Sequence, residues 1–258
     1  MSGPGKTTVV IGGASGIGLA TARELLAHGH FVVIADIDGE AATARAAELG
    51  GTSEGASVDV SDEASVAALF DGVLERHGSF DGVVNCAGVS TLSLVVDHDV
   101  AEFRRVVDIC LTGAFIVLKH AGSRVADGGS LVTLSSLNAR QPGVGLVAYC
   151  SAKSGLEMLT QVTALELAGR KIRVNAVSPG LVVTPLTAPA MDIPGIKDDY
   201  IANTPLGRSG EPEEIAAAIR FLLSDDSRWI TGENLDINGG AHMQRYPDIH
   251  GHVMKAFG

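Results

Sequence analysis

The sequence is poor in cysteine, in aromatic residues and in basic charge. Its three cysteines, Cys86, Cys110 and Cys150, are odd in number and show neither metal-ligand nor redox spacing, so we predict a reducing compartment and no metal site. Aromatic residues make up 4% of the 258 positions, which fits a core of small and branched aliphatic side chains. The net charge of −11 disfavours a nucleic acid or an anionic membrane as a partner.

Long apolar runs are also missing. The longest uncharged segment, residues 174–191, contains Asn175, Ser178 and three prolines, which does not suit a membrane-spanning helix. Near the N-terminus only residues 9–11 form an apolar stretch, which is too short for a signal peptide. We therefore predict a soluble, cytoplasmic protein with no membrane partner.

Short Val- and Ile-rich segments alternate with helical patterns along the whole chain. The apolar share of 46% is ample for a sizeable core. Alternating strands and helices indicate a parallel sheet that is covered by helices on both faces and joined by right-handed crossovers. We find no flexible linker and no repeat, so we predict one α/β domain over residues 1–258, a doubly wound parallel sheet.

The expected elements follow from this alternation. The predicted strands are 8–11, 31–35, 57–60, 82–85, 131–134, 172–176 and 234–237, and the predicted helices are 17–28, 39–49, 61–76, 100–121, 148–167 and 212–223. Two segments depart from it. Residues 181–210 contain several prolines and are predicted to form a long loop or lid. Residues 241–258 have no clear period, and we interpret their histidines as part of a surface or interface tail rather than a metal site.

A glycine-rich turn follows the first predicted strand and opens the first helix. Gly12, Gly16 and Gly18 let the backbone turn sharply and approach a pyrophosphate, which the free N–H groups of the helix N-terminus can bind. Asp36 ends the second strand, where an acidic side chain accepts hydrogen bonds from ribose hydroxyls and repels a 2′-phosphate. No Arg or Lys stands at Ser15 or just after Asp36, so the pattern favours NAD over NADP.

Tyr149 and Lys153 are four residues apart and therefore share one helical face. A free phenol ionises only near pH 10. A lysine ammonium one turn away, together with a positive nicotinamide ring, favours the phenolate and makes tyrosine a usable base. Ser136 ends a buried strand and can hydrogen-bond a substrate oxygen. The three together predict the oxidation of a secondary alcohol.

This order of motifs resembles the short-chain dehydrogenase/reductase family from about residue 7 to residue 240. The turn is similar to the family's T-G-x-x-x-G-x-G with Ile11 in place of threonine, and Asn85-Cys86-Ala87-Gly88 is similar to its N-N-A-G. The resemblance implies a Rossmann fold, an NAD-linked dehydrogenase, and a homo-tetramer whose contacts include the helix of Tyr149. It implies cofactor contacts from Gly12, Ser15, Gly16, Ile17, Gly18, Asp36, Asp59, Val60, Asn85, Ala87, Gly88, Tyr149, Lys153, Pro179, Gly180, Val182 and Thr184.

The sequence also predicts a largely apolar substrate-binding site. The resemblance implies that Ser136, Asn138, Leu146 and Tyr149 contact the substrate. The expected walls, from residues 89–94, 137–146 and 181–210, are mostly apolar and favour a hydrophobic or alicyclic alcohol such as a steroid or terpenoid. The expected apolar wall residues are Leu137, Val144, Leu146, Leu186, Met191, Ile193 and Ile196.

One position departs from the family. Cys110 stands where relatives have an asparagine that helps to hold a water in a proton relay from the lysine. A thiol is a poor hydrogen-bond acceptor, so we expect Cys110 to be a small buried residue. We expect the proton relay to run through water instead. Two alternatives stay open. One is an NADPH-dependent 3-oxoacyl-thioester reductase, against which Asp36 argues. The other is a catalytically weak NAD-binding sensor or scaffold, against which the complete set of Ser136, Tyr149 and Lys153 argues.

Overall fold

A computed structural model describes residues 5–257, so the ends of the predicted domain, residues 1–4 and 258, lie outside the described residues. Seven parallel strands form one sheet in the order β3-β2-β1-β4-β5-β6-β7, which confirms the doubly wound α/β prediction. The strands are β1 (Thr7–Ile11), β2 (Phe31–Asp36), β3 (Ser53–Ser57), β4 (Gly82–Asn85), β5 (Ser130–Leu134), β6 (Arg173–Pro179) and β7 (Asn234–Ile237).

Ten α-helices connect or flank these strands in the described part of the chain. Acidic N-caps start three of them, since the side chains of Asp38, Asp62 and Asp99 each accept a hydrogen bond from a first-turn N–H. The helices are α1 (Gly16–Ala27), α2 (Gly39–Leu49), α3 (Glu63–His77), α4 (Val100–Val107), α5 (Gly113–Arg124), α6 (Val147–Leu167), α7 (Ala188–Met191), α8 (Ile196–Ala202), α9 (Pro212–Leu223) and α10 (Ile249–Phe257).

The alternation of side chains along each strand divides the core in two. Val9 and Ile11 belong to a buried cluster with residues of α3, α5 and α6. Val10 and Val32 belong to a second cluster, with residues of α1, α2 and α9, on the other face. Because both faces of the sheet are covered, its central strands carry continuous apolar runs.

The centre of the sheet positions the site. Strand β1 lies between β2 and β4, and Ile11 pairs with Ala35 on one side and with Asn85 on the other. At such a point the connections leave toward opposite faces and open a crevice at the carboxyl ends of the strands. A ligand site is therefore expected beyond Ile11.

The third strand lies four residues earlier than predicted. Residues 53–57 pair with β2, whereas the predicted segment 57–60 runs mostly through the loop that follows. Val58 and Val60 lie in a loop but are buried in the core. Their alternating apolar pattern is therefore the same as that of a buried strand. The real edge strand, Ser-Glu-Gly-Ala-Ser, has little of the hydrophobic pattern that reveals central strands.

The predicted helix 100–121 is interrupted by a π-helical segment at Asp108–Thr112. The stretch Val100–Arg124 is long enough to span a membrane, and its most apolar 18-residue window has a mean hydropathy of 1.4. Half of that window is buried inside the fold, where α4 packs against α6 and α5 packs against α3. These are the contacts of a core helix.

The two irregular segments contain more helix than predicted. Residues 181–210 hold α7 and α8, and the tail that was expected to lack a period holds α10. Both short lid helices lie between prolines or glycines, which limits their length. The tail is fixed to the lid by contacts described below.

Candidate active site

The glycines of the first turn are required by its geometry. Gly12 and Gly16 have φ angles of 72° and 52°, in the left-handed region that favours glycine. A Cβ on Gly18 would lie 2.0 Å from the carbonyl oxygen of Gly12, and one on Gly12 would lie 3.0 Å from the N atom of Ala87. The turn therefore packs tightly on β4 and leaves its outer side open.

The N-terminus of α1 is available to an anion. Ser15 is the N-cap residue, but its side chain makes no capping hydrogen bond. The first N–H groups of an α-helix have no partner inside the helix, and they attract phosphate. Ser15, Gly16 and Ile17 all line a cavity of about 300 Å³ that opens at this point.

Most of the predicted cofactor residues line this cavity, which we call the nucleotide cavity. Those that do so are Gly12, Ser15, Gly16, Ile17, Gly18, Asp36, Asp59, Val60, Ala87, Gly88 and Thr184. Sequence reasoning missed further lining residues, most of which adjoin the motifs: Ile11, Ile37, Val58, Cys86, Val89, Ile109, Leu134, Pro185 and Leu186. Their proximity to the motif residues was the available signal.

The carboxylate of Asp36 is held in place by backbone donors. Its Oδ2 atom accepts from the Ala14 N–H at 3.0 Å and its Oδ1 atom accepts from the Asp38 N–H at 3.3 Å. Among the described residues that line the nucleotide cavity, none is basic. The carboxylate is therefore the main charged group that a ribose would meet at the end of β2, with Asp59 further along the cavity.

Several predicted cofactor residues lie outside this cavity. Asn85 is 4% exposed, and its Oδ1 atom accepts a hydrogen bond from the Ala87 N–H at 3.1 Å. This contact stabilises the loop after β4. Val182 is buried and forms a bridge with Gly210. Pro179 and Gly180 line a second cavity instead.

The second cavity, of about 310 Å³, contains all four predicted substrate residues. Ser136, Asn138, Leu146 and Tyr149 line it together, and we call it the substrate cavity. Its walls are mostly apolar, as expected. Leu186 lines both cavities, so the two spaces adjoin at the lid.

The predicted apolar wall is only partly right. Leu137, Leu186 and Met191 line the substrate cavity with Leu146. Val144 is 58% exposed and points elsewhere, while Ile196 is fully buried in the packing of the lid. Ile193 is not among the lining residues. A residue in a loop that lines the cavity can still direct its side chain away from the cavity.

Helix α6 brings the lysine beneath the tyrosine. The Lys153 Nζ atom lies 5.6 Å from the centroid of the Tyr149 ring and donates a hydrogen bond of 2.6 Å to the carbonyl oxygen of Leu134. Lys153 is 3% exposed, so its ammonium is almost fully removed from water. The ammonium therefore lies over the Tyr149 ring at a distance that permits a cation–π contact.

Ser136 follows β5 and caps a short 3₁₀ turn. Its Oγ atom accepts from the Asn138 N–H at 3.1 Å, and its carbonyl oxygen accepts from the Ser178 hydroxyl at 3.2 Å. These contacts fix the serine at the floor of the substrate cavity. Its own hydroxyl hydrogen stays free to meet a substrate oxygen.

Cys110 lies in the π-helical segment and is 1% exposed. Its thiol accepts from the Val89 N–H at 3.4 Å and donates to the Val89 carbonyl oxygen at 3.2 Å. The expectation of a small buried residue is confirmed. The sulfur thus donates to and accepts from the backbone of a single residue. The rerouting of the relay through water stays a prediction.

The tail contributes residues that sequence reasoning missed. Tyr246 and Ile249 line the substrate cavity together with Tyr200 of α8. The chain has three tyrosines, Tyr149, Tyr200 and Tyr246, and all three line this cavity. In a sequence so poor in aromatic residues, the tyrosines were the available signal.

The residues present fit a nicotinamide dinucleotide. A glycine cradle without side chains and uncapped helix N–H groups suit a pyrophosphate, and Asp36 suits a ribose. Within residues 5–257 no group of three or more His, Cys, Asp or Glu side chains could hold a metal ion. The fold and the site define a nicotinamide-dependent oxidoreductase.

Comparisons with known proteins support the assignment to the oxidoreductases. A family model described as Enoyl-(Acyl carrier protein) reductase matches residues 12–242. The chain is 40% identical over 245 residues to trans-4-hydroxycyclohexanecarboxylate dehydrogenase of Sinomonas cyclohexanicum, covering 91% of this chain and 92% of that relative. It is 38% identical over 250 residues to 3beta-hydroxysteroid dehydrogenase 1 of Eggerthella lenta, covering 94% and 95%.

A solved structure of a dehydrogenase/reductase has the same fold. A short-chain type dehydrogenase/reductase from Mycobacterium ulcerans superposes with a TM-score of 0.94 at 34% identity, covering 100% of this chain and 97% of that one. The chain therefore belongs to the short-chain dehydrogenase/reductase family.

Proposed function

We propose that this protein oxidises a hydrophobic alicyclic secondary alcohol with NAD, and reduces the corresponding ketone with NADH. The observation that carries the proposal is that Ser136 and Tyr149 line a mostly apolar cavity beside the nucleotide cavity. Relatives whose names specify hydroxycyclohexanecarboxylate and hydroxysteroid dehydrogenases act on ring alcohols. We also propose a reducing, cytoplasmic location, since Cys86, Cys110 and Cys150 are free.

Each residue has a distinct part in the proposed reaction. A nicotinamide held in the adjoining cavity would supply the acceptor for the hydride of the carbinol carbon. Tyr149, as a phenolate that the Lys153 ammonium stabilises, takes the hydroxyl proton of the alcohol on its Oη atom and becomes the neutral phenol. Ser136 Oγ donates a hydrogen bond to the substrate oxygen and holds it beside the phenol. Proton and hydride together account for the two hydrogens that the alcohol loses.

The preference for NAD rests on Asp36. Its carboxylate, oriented by the N–H groups of Ala14 and Asp38, can accept both ribose hydroxyls. A 2′-phosphate would face this negative charge without a basic side chain among the described lining residues. The same argument weighs against an NADPH-dependent 3-oxoacyl-thioester reductase.

We propose a homo-oligomer built on the outer faces of α5 and α6. Met158, Val162 and Leu165 form an exposed apolar stripe along α6, and Phe115 on α5 is 49% exposed. Burial of such a patch against a second copy would stabilise an assembly. Light scattering coupled to gel filtration should give a tetramer, and Leu165→Asp should shift it toward smaller species. A monomeric wild type would contradict this.

The proposed activity is tested on a panel of secondary alcohols. The purified protein is mixed with NAD or NADP and with ring alcohols, linear alcohols or sugar alcohols, and reduced nicotinamide is followed by its absorbance. We expect turnover of ring alcohols with NAD. Tight NAD binding without turnover of any alcohol would contradict the proposal and favour a nucleotide sensor. Turnover with NADP alone would contradict the cofactor assignment.

A further inference from the structure

The end of the substrate cavity that the tail closes contains a pair of tyrosines. The hydroxyl oxygens of Tyr200 and Tyr246 lie 2.7 Å apart, and the two rings pack edge to face with centroids 5.8 Å apart. Tyr200 comes from α8 and Tyr246 from the segment before α10. Room for the second ring depends on Gly143, where a Cβ would lie 2.7 Å from a ring carbon of Tyr246.

The hydroxyl pair has hydrogen-bonding capacity left over. One hydroxyl must donate to the other, so the O–H of the accepting tyrosine needs a further acceptor. The Asn138 side chain also reaches the Tyr246 hydroxyl, where it acts as a hydrogen-bond donor rather than an acceptor. Within residues 5–257, one O–H of the pair is therefore left for a ligand. By contrast, Thr91 is paired with His98 at 3.2 Å, and the Thr187 hydroxyl donates to the Val182 carbonyl at 2.7 Å.

Both phenols stay protonated at neutral pH. Burial raises the pKa of Tyr200 to about 12, and burial also raises the pKa of Tyr246 well above its usual value. The pair can therefore donate a hydrogen bond but cannot compete with Tyr149 as the base. Because the described residues that line the cavity include none with a charge, an ionised group in it would lose its hydration without a counter-ion.

From these observations we infer that the Tyr200–Tyr246 hydroxyl pair recognises a second, uncharged oxygen of the substrate, remote from the carbinol that Tyr149 deprotonates. The substrate is then a neutral alicyclic alcohol with a distal hydroxyl or ketone, rather than a hydroxy acid. This inference rests on the proposed function and adds to it a substrate class and two specificity-determining residues.

The first test compares substrates on the wild-type enzyme. Androsterone, which has a ring alcohol and a distal ketone, is compared with its analogue that lacks the ketone, and cyclohexane-1,4-diol is compared with cyclohexanol. We expect kcat/KM to be higher for the two-oxygen member by about tenfold in at least one pair. We expect 4-hydroxycyclohexanecarboxylate to be at least about tenfold poorer than the diol.

The second test removes the hydroxyls while keeping the rings. Tyr200→Phe and Tyr246→Phe should each reduce the preference for the two-oxygen substrate by about three- to tenfold. The one-oxygen substrate and NAD affinity should be nearly unaffected. The double variant should be no worse than the poorer single variant, since the hydroxyls act as a unit. Thr43→Val removes an exposed hydroxyl on α2, outside the cavity, and is the control that should change nothing.

Failure of this inference differs from failure of the proposed function. Equal kcat/KM within both substrate pairs would overturn the inference while leaving the dehydrogenase intact. Ser90 is another hydroxyl residue that lines the substrate cavity. A preference that is lost in Ser90→Ala but kept in both tyrosine variants would also overturn the inference. If no alcohol is oxidised, the proposed function fails. Thermal melts of the NADH-bound protein then decide the inference: androsterone should raise the melting temperature more than its one-oxygen analogue, and an equal shift overturns it.

Discussion

The nucleotide cavity and the substrate cavity meet at Leu186 but are built in different ways. The first is made largely by backbone: a turn of glycines, a helix N-terminus and a carboxylate held by N–H groups. The second is made by side chains from the loop after β4, from α6, from the lid and from the tail. Backbone sites follow from local sequence, whereas side-chain sites depend on distant segments meeting.

This difference predicts which changes do most harm. Changes at the catalytic centre between the cavities should reduce turnover most. Changes in the nucleotide cavity should alter cofactor choice, and changes in the tail should alter substrate binding alone.

Removing the phenol oxygen should cause the largest loss. Tyr149→Phe keeps the ring over Lys153 but removes the group that takes the proton, so kcat should fall by roughly 10²–10⁴-fold. NAD affinity, measured by calorimetry, should barely change. Near-normal turnover in this variant would mean that another group is the base.

Asp36→Ala should erase the choice of cofactor. In the wild type we expect NAD to bind at least about tenfold more tightly than NADP, which requires only about 1.4 kcal/mol. The variant should lose most of that gap because the acceptor for ribose is gone and the repulsion of phosphate is relieved. Asp38→Ala is the control, since this neighbouring carboxylate caps α2. Equal affinities of the wild type for both cofactors would contradict the assignment.

A carboxylate of α8 adds to the contacts between the lid and the tail. Asp199 of α8 accepts hydrogen bonds from the Arg245 guanidinium and from the Asp248 N–H, the latter at 2.8 Å. Asp199→Asn should loosen this attachment, raise KM by about three- to tenfold and speed proteolysis within residues 181–210 and the tail. NAD affinity should not change. Glu48→Gln, which breaks an exposed pair with Arg45, is the control.

The same carboxylate gives the attachment a pH dependence. Burial acts to raise the pKa of Asp199, but the hydrogen bonds from Arg245 and the Asp248 N–H outweigh it and hold the pKa below the usual 3.8. A lowered pKa means that the stabilisation is complete above pH 3.8 and is lost as the pH falls through the lower value. Protease sensitivity of the tail that is unchanged on acidification, or in Asp199→Asn, would contradict this role.

Cys110 should have the smallest effect. Cys110→Asn can keep both contacts to Val89, so the rate should stay within about threefold or rise. Cys110→Ala removes both contacts, and it should lower the melting temperature by about 2–4 °C with little change in kcat. A folded Cys110→Ala protein that binds NAD but is inactive would show that the thiol has a chemical role.

The sequence predicted the backbone-built half of the molecule well. The doubly wound α/β fold follows from the alternation of strands and helices, and most of the nucleotide cavity follows from short motifs such as Gly12 to Gly18. The error in β3 arose because Val58 and Val60 are buried without belonging to a strand. The π-helical segment around Cys110 also escaped prediction, because the helical hydrophobic pattern continues through it.

The substrate-side tyrosines could not be placed from sequence. Tyr200 and Tyr246 are separated by 46 residues, and only the docking of the tail on α8 brings them together. That docking depends on Asp199, Arg245 and the room left by Gly143, none of which belongs to a recognisable motif. The proximity of Tyr149 and Lys153, the proposed catalytic pair, was predictable because residues four apart share one face of a helix. Their proposed role came from the family resemblance.

The central claim is that Tyr149 removes the proton while the hydride passes directly from the carbinol to NAD. The most direct measurement uses a ring alcohol that carries deuterium on its carbinol carbon and finds the label by mass spectrometry. We predict that deuterium appears on the reduced nicotinamide with the wild type, and at least about a hundredfold more slowly with Tyr149→Phe at saturating NAD. Oxidation without transfer of the label, or equally fast transfer in the variant, would contradict the account.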